Sequence, residues 1–286
     1  MNIAFLASGN LGLATIEACS KIFRPQFIAA DSHSASIIDY AGIQDIPLFK
    51  GNPRNGRLAE FMKQFEIDVL LSVNYLFIVE KDVIDLVKYP INFHGSLLPK
   101  YRGRTPHVWA IINNEIKTGV TAHIIDDGCD TGDIVLQKEV IINDTDTGAA
   151  MLEKYKPLYP EMIFEMITAV KNNALTKKNQ DHEKATYFGK RTPDDGAINW
   201  HWQKERIRNW VRAQAHPYPG AFSYLDGIKI TIDSIEYCDH GFTDTDSNGL
   251  ILATVPDIIV KTTNGAIKLN TVREGKTNFT KGKILE

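Results

Sequence analysis

Residues Ile91–Gly103 read INFHGSLLPKYRG and join a short apolar strand, predicted over Tyr89–Phe93, to a loop rich in glycine, serine and proline. Successive side chains of a strand point to opposite faces, so Asn92 and His94 point to the same side. At a strand end, an amide can donate a hydrogen bond to a developing oxyanion and an imidazole can accept a proton. The segment therefore predicts acyl-transfer chemistry.

Further strands and helices alternate on both sides of this segment. The predicted strands are Asn2–Ala7, Pro25–Ala30, Ile67–Val73, Gly119–Ile125 and Ile134–Ile142. The first predicted helix ends near Ser20, and the others cover Leu58–Phe65, Lys81–Val87, Pro106–Asn113 and Thr147–Val170. The last of these is predicted to break near Pro157 and Pro160. The alternation predicts an α/β fold, with a Rossmann-like, mostly parallel sheet and helices on both faces. Ligands bind beyond the carboxyl ends of such strands, where Asn92, His94 and the Ser8–Gly12 loop lie.

The Gly9-x-x-Gly12 pair in that loop fits either a tight turn or an anion site formed by free backbone N–H groups. It lacks the third glycine of a dinucleotide fingerprint, which disfavours a Rossmann oxidoreductase.

Composition changes along the chain predict two domains. Residues 1–185 form the predicted catalytic domain, 186–200 a linker, and 201–286 a small, mainly-β, OB-like domain that begins with a helix over Gln203–Gln214. Its turn pairs Asp226-Gly227, Asn248-Gly249 and Asn264-Gly265 predict hairpins.

The overall composition is that of an ordinary soluble protein. Of 286 residues, 43% are apolar and 23% charged, and the net charge of -3 gives no reason to expect nucleic-acid or anionic-membrane binding. No apolar run is long enough for a membrane span, and Met1-Asn2-Ile3 begins a strand pattern without a secretory signal. The unpaired spacing of Cys19, Cys129 and Cys238 favours the cytoplasm and predicts neither disulfides nor a metal site.

Three separated motifs resemble those of the 10-formyltetrahydrofolate-dependent formyltransferases. They are Asn92-x-His94-Gly95-Ser96-Leu97-Leu98-Pro99-x-Tyr101-Arg102-Gly103, then Gly119-Val120-Thr121, then Asp130-Thr131-Gly132. The likeness covers roughly residues 1–170. Taken singly, a strand-end Asn-x-His fits a polar cap, and an aspartate before Thr-Gly fits a turn. Together and in this spacing, they favour the family.

The resemblance implies a catalytic triad of Asn92, His94 and Asp130, 10-formyltetrahydrofolate as cosubstrate, and no metal. A substrate amine attacks the formyl carbon while neutral His94 accepts a proton directly or through water. Asp130 orients His94 and favours its charged form, and Asn92 donates to the oxyanion.

Binding residues around the triad are predicted from the resemblance and from the need of a diphosphate for cationic or N–H partners. Those for the cosubstrate are Tyr75, Leu76, Phe77, Ile78 and Asp127, and those for the second substrate are Asn10, Lys81, Arg104, Tyr155 and Lys156. Core packing remains an alternative for the apolar ones, and a solvated surface for the charged ones. Cys129 is interpreted as a packing residue.

The resemblance leaves the acceptor open among three classes of substrate. Transfer-RNA is disfavoured because residues 201–286 carry 11 Lys/Arg against 10 Asp/Glu, and because Asp31–Ser36 has no basic residue where methionyl-tRNA enzymes have a long basic loop. Glycinamide ribonucleotide enzymes have proline in place of Gly95 and lack a C-terminal domain.

The Arg104-Thr105-Pro106 run and the Ala213–Tyr224 segment are similar to those of nucleotide-linked amino-sugar N-formyltransferases. That resemblance implies a sugar such as dTDP-4-amino-4,6-dideoxyglucose, a role in lipopolysaccharide O-antigen synthesis, and a homodimer formed through the C-terminal domain. A degenerate homologue that binds without transferring is disfavoured by the complete triad.

Overall fold

The computed structural model describes residues 1–275 and 278–286, which form two compact units. Unit 1 comprises Met1–Pro106, Thr118–Val140 and Leu152–Phe188, and unit 2 comprises His107–Lys117, Ile141–Met151 and Gly189–Glu286. The predicted α/β fold with a mainly-β C-terminal part is confirmed.

The strands are β1 (Ile3–Ala7), β2 (Ile28–Ala30), β3 (Leu48–Lys50), β4 (Val69–Val73), β5 (Tyr89–His94), β6 (Arg102–Gly103), β7 (Lys117–Ile124), β8 (Ile134–Ile141), β9 (Tyr187–Phe188), β10 (Ala221–Leu225), β11 (Ile228–Cys238), β12 (Ile251–Ala253), β13 (Ile258–Thr262) and β14 (Gly265–Glu274). The helices are α1 (Gly9–Ser20), α2 (Ala35–Ile43), α3 (Arg57–Met62), α4 (Lys81–Ile84), α5 (Pro106–Ile112), α6 (Gly148–Tyr155), α7 (Leu158–Lys171) and α8 (Lys204–Ala213). Short 3-10 turns lie at His182–Lys184 and Pro193–Gly196.

The larger sheet has seven strands in the order β3-β2-β1-β4-β5-β7-β8. The first five strands in this order, from β3 through β2, β1 and β4 to β5, pair in parallel. Strand β7 runs antiparallel to β5. All five residues of both β1 and β4 are buried, as expected for central strands covered on both faces. The strand order reverses between β1 and β4, and the carboxyl end of β5 lies one strand further along the same edge.

Strand β3 of this sheet and helix α2, which precedes it in the chain, were not predicted. Helix α2 contains the β-branched pair Ile37-Ile38 and a glycine, which weaken its helical signal, and β3 has only three residues. The helix predicted over Thr147–Val170 is two helices, α6 and α7, separated at Pro157. Pro160 lies in the first turn of α7, where the missing N–H costs no helical bond.

The second sheet, in unit 2, has five strands in the order β10-β11-β14-β13-β12. Asp226-Gly227 joins β10 to β11 with positive φ at both residues, as a type I′ hairpin requires, and Asn264 lies in the turn between β13 and β14. The hairpin predicted at Asn248-Gly249 is wrong, because β11 pairs with β14 and β12 pairs with β13. The turn residues are there, but the strands on either side of them are not partners.

Candidate active site

The site is built on the carboxyl end of β5, where alternation along the strand places Asn92 and His94 on one side. Asn92 is half-buried and only 6% of His94 is exposed. The antiparallel neighbour β7 pairs His123 with Asn92 and Thr121 with His94. The pairing of β5 with β7 therefore fixes the backbone positions of the polar residues on both strands.

The two nitrogens of His94 have different partners, and this defines the proton-accepting atom. Nε2 lies 2.7 Å from the carbonyl oxygen of Tyr101, which can only accept, so Nε2 carries the hydrogen in the neutral ring. Tyr101 has a φ of +60°, an uncommon backbone conformation for an aromatic residue. Nδ1 is then the unprotonated nitrogen, 3.5 Å from the Oδ2 atom of Asp130. A proton that arrives at Nδ1 forms an ion pair with this carboxylate.

Asp130 lies in the loop between β7 and β8 with a φ of +54°, which aspartate tolerates better than most residues. Its Oδ2 accepts a hydrogen bond of 2.8 Å from the backbone N–H of Gly103. Burial opposes ionisation, but His94, His123 and this N–H donor together keep the pKa of Asp130 well below its usual range. The site therefore holds an ionised carboxylate.

Burial lowers the pKa of His94, and the positive charge of Arg102 acts in the same direction, as does His123 when it is protonated. Asp130 and the Tyr101 carbonyl oppose this shift without reversing it. A lowered pKa leaves the imidazole neutral at neutral pH, as a proton acceptor must be.

Sequence reasoning missed His123, which lies 3.1 Å from Nδ2 of Asn92 through its Nε2 and 3.4 Å from Oδ1 of Asp130. Its Nδ1 lies 2.7 Å from the carbonyl oxygen of Ile124, so the neutral ring accepts from the Asn92 amide. The other contact of that amide, to Asp130, is 3.5 Å long and is the one that an oxyanion could replace. The contact follows from the antiparallel register that places His123 opposite Asn92, and this register is seen only in the fold.

The five residues predicted for the cosubstrate fall on two loops of unit 1. In the loop after β4, Leu76 and Ile78 are exposed, while Tyr75 packs against the core and Phe77 contacts its ring. The hydroxyl of Tyr75 is buried without a hydrogen-bond partner. Asp127 is exposed in the loop that carries Asp130. The exposed apolar side chains suit the face of a flat heterocycle.

The residues predicted for the second substrate are only partly brought together. Arg104 donates a 2.7 Å hydrogen bond to the carbonyl oxygen of Leu76, so it borders the predicted cosubstrate loop. Lys81 pairs with Asp85 at 2.9 Å, and both Asp85 and Asp127 raise its pKa. Asn10 is exposed at the start of α1, and Lys156 pairs with Glu153 along α6.

The side chain of Tyr155 is fully buried, and its role at the second substrate stays a prediction. Its hydroxyl donates to the carbonyl oxygen of Gly95 at 3.1 Å and lies 3.3 Å from Oγ1 of Thr118. A Cβ at Gly95 would approach the Tyr155 ring to 3.1 Å. Tyr155 thus supports the loop that follows His94.

We expect Tyr155→Phe to lower the free energy of unfolding by about 1 kcal/mol, because a buried carbonyl loses its donor. The KM for the acceptor is expected to stay within about twofold, since no ligand contact is lost. Urea unfolding and steady-state kinetics measure the two effects, with Tyr224→Phe at an exposed position as the matched control. A raised KM at unchanged stability would support a binding role for Tyr155.

In the described part of the chain, residues 1–275 and 278–286, no three His, Cys, Asp or Glu side chains are grouped so that they could bind a metal ion. None of its helices is long and apolar enough to cross a membrane.

Family comparison agrees with this geometry. Residues 13–167 match the formyl transferase family and residues 190–284 match the formyl transferase C-terminal domain. The chain belongs to the formyl transferase family. It is 38% identical over 221 residues to the methionyl-tRNA formyltransferase of Thermodesulfovibrio yellowstonii, a match that covers 77% of this chain and 70% of that protein. This formyltransferase therefore carries Asn92, His94 and Asp130 at the end of β5 and in the adjacent loop.

Solved structures with the same fold include sugar enzymes. One is an N-formyltransferase from Helicobacter canadensis in complex with folinic acid and dTDP-3-aminofucose, with a TM-score of 0.71, 22% identity, and coverage of 94% of this chain and 98% of that one. Another is WlaRD, a sugar 3N-formyl transferase in the presence of dTDP and 5-N-formyl-THF, with a TM-score of 0.70, 19% identity, and coverage of 94% and 97%. At these identities, the likeness concerns the fold of the formyltransferase.

Proposed function

We propose that this formyltransferase moves a formyl group from 10-formyltetrahydrofolate to the amine of a nucleotide-linked amino sugar. The observation that carries the reaction is the pairing of a neutral, buried His94 with an ionised Asp130 beside the amide of Asn92. A proton acceptor, its counterion and an oxyanion donor are the three parts that acyl transfer to an amine needs.

In the proposed mechanism, each of the three side chains has one task. The amine nitrogen attacks the formyl carbon and forms a C–N bond, and its surplus proton passes to Nδ1 of His94, directly or through water. Asp130 stabilises the resulting imidazolium at 3.5 Å. The Asn92 amide donates to the formyl oxygen as negative charge develops there, a contact worth about 3 kcal/mol in related oxyanion holes. The folate nitrogen then leaves with the electrons of the broken C–N bond and takes up the proton held by His94, directly or through water, which returns the imidazole to its neutral form.

The cosubstrate assignment is supported by exposed apolar side chains next to the site. Leu76 and Ile78 follow β4, the parallel neighbour of β5, and Arg104 binds the backbone of the same loop. We propose that this loop and Asp127 bind the pterin part of 10-formyltetrahydrofolate. Both structural neighbours described above contain formylated folates.

A sugar acceptor is supported by the connection between β2 and α2. Only Asp31–Ser34 separates the two elements, and Asp31 is buried with its carboxylate bonded to the His33 N–H at 2.8 Å and to the Ser34 hydroxyl. A basic loop for a phosphate backbone has no counterpart in this connection. The near balance of charge in residues 201–286 points the same way. The dTDP of one structural neighbour and the dTDP-3-aminofucose of the other also favour a nucleotide sugar.

We further propose dTDP-4-amino-4,6-dideoxyglucose as the sugar, with Asn10, Lys81, Arg104 and Lys156 as candidate contacts. O-antigen synthesis in the cytoplasm, by a homodimer formed through residues 201–286, is the proposed setting. We also propose that residues 1–185 form the catalytic domain and that residues 186–200 form its linker. Sedimentation of the purified protein tests the dimer, which a concentration-independent monomer mass would exclude.

Methionyl-tRNA is the second candidate acceptor, and the 38% identical relative favours it. The deciding experiment incubates the enzyme and 10-formyltetrahydrofolate separately with dTDP-4-amino-4,6-dideoxyglucose, with UDP-linked 4-amino sugars and with methionyl-tRNA. Mass spectrometry follows the gain of one formyl group, and a His94→Gln variant serves as the inactive control. Transfer to a nucleotide sugar supports the proposal, whereas transfer to methionyl-tRNA alone would contradict it.

A further inference from the structure

A buried arginine beside the triad has no part in the proposed mechanism. The Arg102 side chain is only 1% exposed, although it carries a positive charge. Its guanidinium donates to Oε1 of Gln180 at 2.6 Å from Nη2, approaches Nδ1 of His182 at 3.1 Å, and donates to the hydroxyl of Tyr187. None of these acceptors is negatively charged. Burying a cation among neutral groups costs folding free energy, which indicates that Arg102 has a role in the site.

Gln180 connects this cation to the loop that carries Asp130. The side chain is 6% exposed, and every hydrogen-bonding position of its amide is used. Oε1 accepts from Nε and Nη2 of Arg102, while Nε2 donates to the carbonyl oxygens of Asp130 at 2.9 Å and Gly132 at 2.7 Å. The contact with the guanidinium fixes which end of the amide is oxygen. The NH₂ end must therefore face the two carbonyl groups of the Asp130 turn.

Gln180 belongs to a segment, Lys178–Phe188, that we call the strap. At one end, Lys178 and Ile134 exchange two backbone hydrogen bonds of 2.8 Å next to the Asp130 loop. At the other end, the backbone N–H groups of Arg102 and Arg104 donate to Thr186 and Phe188 of the strap at 2.8 and 3.0 Å. The strap thus joins the loop that carries Asp130, which faces Nδ1 of His94, to the loop that carries Tyr101, which faces Nε2.

The second loop is held as closely as the first. The Phe188 ring stacks on Tyr101 with centroids 5.0 Å apart, and the Tyr101 N–H donates to the Thr186 hydroxyl at 2.8 Å. A Cβ at Gly103 would lie 2.3 Å from the Phe188 carbonyl oxygen, so only glycine allows this pairing. The Tyr101 carbonyl that binds Nε2 of His94 is therefore placed by the strap as well.

We propose that Gln180 is a positioning residue for formyl transfer, which fixes the backbone of the Asp130 turn against the buried Arg102 and so holds the Asp130 carboxylate at Nδ1 of His94. This proposal rests on the proposed roles of His94 and Asp130. Gln180 touches neither substrate nor any reacting atom, and acts through the turn alone.

The electrostatic surroundings of His94 give this position a measurable signature. The groups that face the imidazole are Asp130, His123, Arg102 and the Tyr101 carbonyl, and of the charged ones only Asp130 raises its pKa. If the Asp130 turn is free to move, the contact between the Asp130 carboxylate and His94 weakens. Burial, His123 and Arg102, which lower the His94 pKa, then have less opposition. Loss of Gln180 should therefore lower the pKa of His94, which a purely structural role would not do.

The test compares Gln180→Leu, whose apolar side chain is one bond shorter and makes none of the four hydrogen bonds, with Asn179→Ala in the same strap. Asn179 is exposed and donates to Asp133, so its loss leaves the Asp130 turn bonded. Side-chain NMR of ¹⁵N-labelled histidines measures the His94 pKa in the substrate-free enzyme. Steady-state kinetics with saturating cosubstrate measures kcat and KM.

We expect Gln180→Leu to lower the His94 pKa by roughly half a unit or more. We also expect kcat to fall about tenfold while KM stays within about twofold. Asn179→Ala should change none of these by more than about twofold or a tenth of a pH unit. If Gln180→Leu does not fold, Gln180→Asn, which is too short to reach both partners, should give a smaller shift in the same direction. A folded Gln180 variant with an unchanged His94 pKa overturns the proposal. The NMR measurement needs no turnover, so it decides this point even if the proposed acceptor is wrong.

Discussion

His94→Gln is expected to lower kcat by about 10²–10⁴-fold, the usual contribution of a general base. The glutamine amide can still donate to the Tyr101 carbonyl, as Nε2 does now at 2.7 Å, so the loop after β5 should keep its place. What disappears is the basic nitrogen that faces Asp130 at 3.5 Å. The loss should therefore appear in kcat, with KM for both substrates changed by less than about threefold.

Single-turnover and steady-state assays with the identified acceptor measure this effect. The matched control is His33→Gln, which makes the same chemical change at an exposed position of unit 1 and should leave kcat within about twofold. Circular dichroism and thermal unfolding establish that both variants are folded. Retention of more than a tenth of the kcat by His94→Gln would show that the proton goes elsewhere.

The lowered pKa of His94 predicts the shape of the pH profile. The base must be neutral to accept a proton, so activity is lost as pH falls through the pKa of His94. Because burial moves that pKa below its ordinary value of 6.5, the acidic limb of kcat/KM should lie below pH 6.5. A limb above pH 6.5 would mean that another group governs the reaction.

Local patterns in the sequence were enough to predict the central sheet and the end of β5. The apolar runs of β1 and β4 match strands buried on both faces, and the Asn92-x-His94 spacing alone puts both side chains on one side. The short helix α2 and three-residue β3 escaped prediction because neither is long enough to show a clear period.

Contacts between residues distant in sequence could not be predicted. A helical tyrosine at a core position and one at a binding surface follow the same periodicity, so burial of Tyr155 could only be seen in the fold. His123 meets Asn92 through the antiparallel register of β5 and β7, which the sequence does not specify. Gln180 reaches the Asp130 turn across a separation of 50 residues. Such contacts depend on topology and not on local pattern.

Asp130→Asn is expected to reduce kcat by up to about 10⁴-fold, the loss seen when the aspartate of a Ser-His-Asp triad becomes asparagine. Two effects combine here. The ionised carboxylate that would stabilise protonated His94 is lost, although the new side chain keeps an oxygen to accept from the Gly103 N–H. Because Oδ2 both accepts from that N–H and faces Nδ1 of His94, the new NH₂ group stands at the Oδ1 position, where it faces Nε2 of His123 and disturbs the contact with the Asn92 amide.

The pH profile separates this explanation from a general disturbance of the loop. Asp130 raises the His94 pKa, so replacing it with a neutral amide should move the acidic limb of kcat/KM to still lower pH. Asp133→Asn makes the same change three residues away in the loop and should leave both kcat and the limb nearly unchanged. Kinetics from pH 4 to 9 on both variants and the wild type provide the comparison. An Asp130→Asn enzyme with less than a tenfold loss in kcat and an unmoved limb would exclude Asp130 as the counterion of His94.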